Sequence, residues 1–179
     1  YTSASGWGIT LAYTYTDAER NSAEDGAGLF DYPSTDYTPW LPVVQAPEHR
    51  LVGTGIWDAP GGITLSTKLT LESMKYRVGE NCLPTRLVGN GDCFHDSYKP
   101  DGTLGFLQWD LAATKVWEIS DDMRFRVRAD VLNVTNRYNW SGYNDWWGAD
   151  GVPNASFGVH NDTIRLPTRT FKLSFGLDW

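Results

Sequence analysis

Apolar residues occupy every second position at the end of the chain. Phe171, Leu173, Phe175, Leu177 and Trp179 alternate there with Thr170, Lys172, Ser174, Gly176 and Asp178. A period of two is that of a β-strand, whose successive side chains point to opposite faces of a sheet. A transmembrane barrel strand of about ten residues needs this division between lipid outside and a polar lumen inside. The pattern predicts the closing strand of a membrane β-barrel.

Five earlier segments repeat the alternation. They cover residues 7–16, 50–57, 63–72, 107–114 and 123–131, and the second is weaker because Gly53 and Gly55 stand at apolar-face positions. No segment has a helical period of apolar residues. We therefore expect an all-β fold, an antiparallel transmembrane β-barrel segment of about six long strands.

The predicted connections alternate between short and long. Residues 58–62 and 120–122 are tight-turn sequences, whereas residues 17–49, 77–103 and 139–168 are long connections. Outer-membrane barrels have short periplasmic turns and long extracellular loops, and strands counted back from Trp179 place both short turns on the periplasmic side. A soluble β-sandwich is the alternative, although three long loops in one small domain are uncommon.

Charged residues form a row on the polar face of the fifth predicted strand. The row consists of Arg124, Arg126, Arg128 and Asp130. Burying it in a packed soluble core would be costly, so we expect it to face a hydrated or plugged lumen, where it can pair with acidic groups of a plug. A solvated outer face of a sandwich is the other reading. Lys115 breaks the apolar register, and we expect it to snorkel at the periplasmic end.

Composition narrows the function classes. The net charge of −7 argues against nucleic acid, because phosphate binding requires clustered Lys and Arg. Nine Trp and nine Tyr suit either membrane-interface girdles or surfaces that stack on ligands. The three histidines are far apart and match no catalytic or zinc motif. We expect a protein that is not an enzyme and has no cofactor or metal.

The only two cysteines, Cys82 and Cys93, fall in one loop-like stretch. Two nearby cysteines in an exported loop predict a disulfide, and two free thiols are the alternative.

Aromatic and polar residues in two long connections are the candidate ligand contacts. Rings stack on a sugar or flat ligand, while amides and carboxylates bind its hydroxyl groups. An interface girdle or loop packing is the alternative reading. The candidates are Trp140, Tyr143, Asn144, Asp145, Trp146 and Trp147 in the third connection, and Tyr37 and Trp40 in the first.

Three stretches of the second half carry a family pattern. They are Leu107-Gln-Trp-Asp-Leu-Ala-Ala-Thr-Lys-Val-Trp117, then Phe125-Arg-Val-Arg-Ala-Asp-Val-Leu-Asn-Val-Thr-Asn-Arg-Tyr138, and Pro167-Thr-Arg-Thr-Phe-Lys-Leu-Ser-Phe-Gly-Leu-Asp-Trp179. Residues 104–179 resemble the C-terminal end of TonB-dependent outer-membrane receptors, while residues 1–103 resemble them only diffusely. In that family the alternating run to a terminal aromatic is a barrel-assembly signal, which Trp179 would complete in place of the commoner Phe.

The resemblance implies a location in the bacterial outer membrane, with lipid around the barrel. It also implies uptake of a scarce ligand, whether carbohydrate, peptide or metal chelate, energised through TonB. Residues 1–179 would then be the C-terminal part of a longer barrel, whose plug, TonB-contacting region and other strands lie upstream. Two alternatives are a secreted aromatic-rich β-sandwich that binds carbohydrate, and an outer-membrane structural or adhesin barrel without energised transport.

Overall fold

A computed structural model describes residues 6–20, 40–44, 46–82, 94–149 and 152–179. Within these ranges the protein is all-β, as predicted, and its main sheet is antiparallel. The described residues include no helix of the length and apolar character that crossing a membrane requires.

The described ranges contain twelve strands. They are β1 Trp7–Tyr15, β2 Glu19–Arg20, β3 Leu41–Pro42, β4 His49–Ala59, β5 Ile63–Ser73, β6 Arg77–Cys82, β7 Phe94–Tyr98, β8 Leu104–Ser120, β9 Met123–Leu132, β10 Trp146–Ala149, β11 Val152–Pro153 and β12 Thr170–Asp178. Six of them form the main sheet in the order β1-β4-β5-β8-β9-β12. These are the six long strands that the alternation predicted. Among the described strands this sheet is open, since β1 and β12 each have one neighbour.

The register of the main sheet collects the apolar residues on one face. Leu65 lies opposite Trp57 on one side and Ala113 on the other, and Ala113 continues to Ala129 and Leu173. Parallel rows add the other apolar residues of the alternating segments, many of them largely exposed: Ile9, Leu11, Tyr13, Leu111, Val127, Phe171, Phe175 and Leu177. One face of the six-stranded sheet is thus predominantly apolar, interrupted by Thr67 and Lys115, and the opposite face carries the other half of each alternation.

The charged row lies on the polar face and pairs within the sheet. Arg128 Nη2 is 2.8 Å from Asp130 Oδ1, and Arg126 Nη2 is 3.4 Å from Asp178 Oδ1 on β12. Arg124 Nε is 3.9 Å from Glu118 Oε1 on β8. The row therefore already has acidic neighbours on its own strand and on both adjacent strands. Whether it faces a lumen stays a prediction.

Lys115 is the one charged side chain in the apolar register of β8. Its ammonium group donates a hydrogen bond to the carbonyl of Gly61 in the β4–β5 turn and lies 5.8 Å from the ring centre of Trp117. The side chain thus places its charge at the short-turn end of the sheet, as snorkelling would require.

The long connections contain strands that the sequence analysis did not predict. β6, β7, β10 and β11 form a second sheet in the order β11-β10-β6-β7, with β6 and β10 parallel. Residues 77–103 and 139–168, which were predicted as long connections, therefore contain short strands. These strands are two to six residues long and show no sustained alternation, so a period-of-two search does not detect them.

The residues that follow β9 complete the hydrogen bonding of β8 where β9 has ended. The Asn139 side-chain carbonyl accepts the Leu107 N–H at 2.9 Å, and its amide donates to the Leu107 carbonyl at 3.0 Å. The Val134 N–H donates to the Trp109 carbonyl, and the Arg137 guanidinium donates to the Leu104 carbonyl, each at 2.8 Å. The backbone groups at the start of β8, which β9 is too short to reach, are thereby hydrogen-bonded.

Asn139→Ala should destabilise the fold because it leaves the Leu107 N–H and carbonyl without partners in a site where Asn139 is 1% exposed. We expect a loss of about 2 to 3 kcal/mol in the free energy of unfolding in urea. Asn144→Ala, which removes one exposed hydrogen bond to the Trp146 N–H, is the control and should change it by less than about 0.5 kcal/mol. Equal losses in the two variants would contradict the pairing role of Asn139.

Candidate ligand-binding site

A cavity of about 550 Å³ opens at the end of the main sheet where the long connections lie. Its walls come from the end of β5 and the start of β6, from the start of β8, from the segment between β9 and β12 and from one residue that follows β3. Its volume falls within the range of small-ligand pockets. The lining residues are Val44, Glu72, Met74, Lys75, Tyr76, Arg77, Val78, Gly105, Trp140, Ser141, Tyr143, Asp145 and Arg165.

Glu72 is the charged centre of the cavity wall. Its side chain is 3% exposed, and its carboxylate lies 2.6 Å from Arg165 Nη1 and 3.3 Å from Arg50 Nε. Lys75 Nζ is 3.7 Å away. Burial is the largest influence on the Lys75 ammonium; together with repulsion by Arg165 and Arg77 it outweighs the attraction of Glu72 and lowers the pKa of Lys75. One buried carboxylate therefore stands among three cationic side chains.

Arg77, the first residue of β6, reaches across the cavity to the third long connection. Its guanidinium donates to the Ser141 carbonyl and lies 4.8 Å from the ring centre of Tyr143. The Tyr143 hydroxyl in turn lies 3.7 Å from the Met74 sulfur. No described acidic side chain is within ion-pair distance of Arg77. This residue thus ties two connections together without forming an ion pair to a described side chain.

Tyr98 and Asp145 form a hydrogen bond at the inner side of the second sheet. The Tyr98 hydroxyl donates to the Asp145 carboxylate, and the Asp145 carbonyl accepts the Glu80 N–H at 2.8 Å. Burial is the main cause that raises the pKa of Tyr98, and the hydrogen bond and negative charge of Asp145 add to it. The neutral phenol is therefore the form that the folded protein favours.

Three of the predicted ligand contacts line this cavity: Trp140, Tyr143 and Asp145. Trp140 stacks on His160 at 3.9 Å between ring centres and on Tyr138 at 5.3 Å. Part of its ring surface is thus used for packing within the connection, as the alternative reading of the sequence foresaw.

The other predicted contacts lie apart from the cavity lining. Asn144 accepts a hydrogen bond from the Trp146 N–H, and Trp147 packs edge-on against Phe157 at 4.6 Å. Trp146 is half exposed on β10, and Trp40 is exposed near β3. Tyr37 lies outside the described residues. Ligand contact by any of them stays a prediction.

Four charged residues around the cavity did not emerge from the sequence analysis. Glu72, Lys75 and Arg77 stand within six positions after an alternating strand, a charge-dense strand end that could have drawn attention. Arg165 gives no comparable signal, because its contact with Glu72 joins residues 93 positions apart.

The predicted disulfide involves Cys82, the last residue of β6, and Cys93, which lies outside the described residues, so it stays a prediction. The part of the chain that the structure describes contains no cluster of His, Cys, Asp and Glu able to hold a metal ion. The chain matches no protein-family model, no curated protein and no solved structure.

Glu72→Gln should destabilise the fold because it removes the charge that three cations surround. We expect a loss of about 2 to 3 kcal/mol in the free energy of unfolding in urea, less than for a fully buried pair because Arg50 and Arg165 are half exposed. Glu118→Gln is the matched control, since Glu118 is 79% exposed and 3.9 Å from its partner, and should have almost no effect. A neutral result for Glu72→Gln would refute the cluster's structural role.

Ionisation of Tyr98 should lower the free energy of unfolding of the protein at alkaline pH. Its pKa is raised in the folded state, so its contribution is complete below the unfolded pKa of about 10 and is lost as the pH rises beyond that value. Tyr98→Phe should therefore show a shallower loss of stability above pH of about 10, as measured by urea unfolding at successive pH values. Tyr138→Phe, which removes an exposed phenol, is the control and should retain the wild-type slope.

Proposed function

We propose that this chain is the C-terminal barrel segment of an outer-membrane receptor that imports a small ligand with energy from TonB. The observation that carries the proposal is the predominantly apolar face of the six-stranded sheet. Leu11 on β1 is 70% exposed and Phe175 on β12 is 67% exposed, and Trp57, Leu65 and Trp109 on the strands between them remain 38–47% exposed. A large contiguous apolar face of this kind is rare on soluble monomers. A surrounding lipid phase removes the free-energy cost of exposing these apolar side chains to water.

The second sheet argues against a sandwich. In a sandwich, two sheets pack their apolar faces together about 10 Å apart. Here β6, β7, β10 and β11 lie with the connections at one end of the main sheet, and no described segment covers the apolar face around Leu65, Leu111 and Leu173. The apolar face therefore needs an occupant from the surroundings.

Both open edges of the main sheet fit a segment of a larger barrel. Among the described strands, β1 and β12 each have a neighbour in the main sheet on one side only. A strand edge that stays open cannot be satisfied by lipid. Further strands of a longer barrel would pair with both edges. Such a closed wall, with its polar face inward, gives the charged row a hydrated or plugged interior.

The cavity supports a receptor more than a purely structural barrel. It lies at the end with the long connections, which in outer-membrane barrels is the extracellular end. A ligand arriving from outside would meet this cavity first. The role of TonB and of a plug rests on the family resemblance of residues 104–179.

The proposal predicts opposite outcomes for two adjacent substitutions on the central strand β5. Leu65→Arg places a charge on the apolar face, and its cost in the bilayer is about 2 to 4 kcal/mol near the midplane. Ser66→Arg places the same charge on the polar face, beside Ile56 and Ala112 of the neighbouring strands, and should be tolerated better. The measurement is the heat-modifiable, folded band of the complete protein in outer membranes of its source cell.

A strong loss of the folded band for Leu65→Arg alone supports the proposal. Recovery of the wild-type protein in the soluble fraction, or equal tolerance of both arginines, would overturn it and leave the secreted binding protein as the better explanation.

A further inference from the structure

Positive charge dominates the cavity. Three cationic side chains line it, Lys75, Arg77 and Arg165, and Arg50 adds a fourth through its ion pair with Glu72. The carboxylates among the lining residues are Glu72 and Asp145. The excess of cationic side chains over carboxylates in the cavity contrasts with the chain as a whole, which carries a net charge of −7. A cationic cavity in an acidic chain is a local feature that general composition does not explain.

Neither carboxylate forms an ion pair with Arg77. Glu72 is 3% exposed and holds Arg165 at 2.6 Å and Arg50 at 3.3 Å. Asp145 accepts the hydrogen bond of the Tyr98 hydroxyl. Arg77 has a neutral carbonyl, that of Ser141, as its hydrogen-bond acceptor, and a guanidinium group offers five N–H donors. Its remaining donors suit an oxyanion, which arginine binds in a bidentate manner.

The surroundings strengthen such an interaction. Apolar lining residues include the rings of Trp140 and Tyr143 and the buried side chain of Met74. Apolar walls lower the local dielectric constant, so a charge pair inside the cavity interacts more strongly than one on the open surface.

We infer that this cavity binds an anionic ligand, through carboxylate or phosphate oxygens held by Arg77, Lys75 and Arg165. The inference rests on the proposed function, because it names the chemical class of the imported ligand. It excludes neutral sugars without acidic groups as the preferred occupants. Carboxylates and phosphates share the charge and the planar or tetrahedral arrays of oxygen atoms that arginine recognises.

The test uses a cysteine placed in the cavity wall of the complete protein in detergent. Val78→Cys introduces a thiol among the lining residues. Ser156→Cys introduces one at an exposed turn after β11, where the adjacent residues Ala155 and Phe157 carry no charge. Thiol-specific methanethiosulfonates of similar size carry either a sulfonate or a trimethylammonium group. The ratio of their rate constants at each introduced thiol reports the local potential, and the unsubstituted protein supplies the background.

We expect the sulfonate-to-ammonium ratio at position 78 to exceed that at position 156 by about tenfold, since tenfold corresponds to only about 1.4 kcal/mol of electrostatic energy. Lys75→Gln should lower the ratio severalfold. Lys172→Gln, the same change on the exposed strand β12, should leave it unchanged. Arg165→Gln is the second cavity variant should Lys75→Gln misfold.

Inorganic phosphate and citrate are the ligand probes, with glucose as the neutral control, each at about 10 mM, where a weak Kd of about 1 mM gives clear occupancy. In the Val78→Cys variant, protection of the introduced thiol from a neutral reagent by citrate alone identifies carboxylates, and protection by phosphate alone identifies phosphorylated ligands. Protection by both supports the shared chemistry. No protection by either anion, or protection by glucose, overturns the inference.

The charge measurement is independent of membrane location. A protein recovered in the soluble fraction would defeat the proposed function, while the cysteine assay would still report the cavity. An outer-membrane protein whose ratio at position 78 equals that at position 156 would retain the proposed function and lose the anionic ligand.

Discussion

The hydrogen-bonded register of the six-stranded sheet is the constraint on which the rest of the structure depends. Because side chains alternate with a period of two, a slip of one residue between strands would move an entire apolar set to the polar face. In the observed register Trp57, Leu65 and Ala113 are neighbours on one face, while Asp110 and Lys68 are neighbours on the other. The same ladder therefore creates the apolar surface and aligns the ion pair of Arg126 on β9 with Asp178 on β12.

The register also needs a defined end, and asparagines provide it where β9 stops. Asn133 and Asn136 have left-handed backbone φ values of 53° and 54°, a conformation that asparagine tolerates better than most residues. The Asn133 side chain accepts the Arg137 N–H, and Asn136 accepts the Arg169 N–H at the start of β12. Residues Asn133 to Arg137 and Arg169 belong to the stretches that resemble the receptor family. Their hydrogen bonds join the end of β9 to the residue before β12.

The sequence predicted those parts of the fold that local periodicity encodes. The long strands of the main sheet were found because alternation persists over eight or more residues, although β8 runs from Leu104 to Ser120 and its predicted bounds were too short. The parallel pairing of β6 with β10 joins residues more than sixty positions apart and leaves no local pattern. Trp140, Tyr143 and Asp145 were found because aromatic and acidic loop residues are visible in the sequence itself. Arg165 was not found, because its contact with Glu72 depends on the fold.

The sheet and the cavity are linked through β5 itself. Leu71 lies on the apolar face opposite Leu51 and Leu107, and the next residue, Glu72, points to the other face opposite Arg50. Because of the alternation, the buried Glu72 carboxylate lies on the polar side at the end of β5. Residues Met74 to Arg77, which follow, line the cavity. A change in the register of β5 would therefore remove Glu72 from Arg50 and Arg165 and dismantle the cavity. The geometry that separates an apolar face from a polar one is also the geometry that assembles the cationic site.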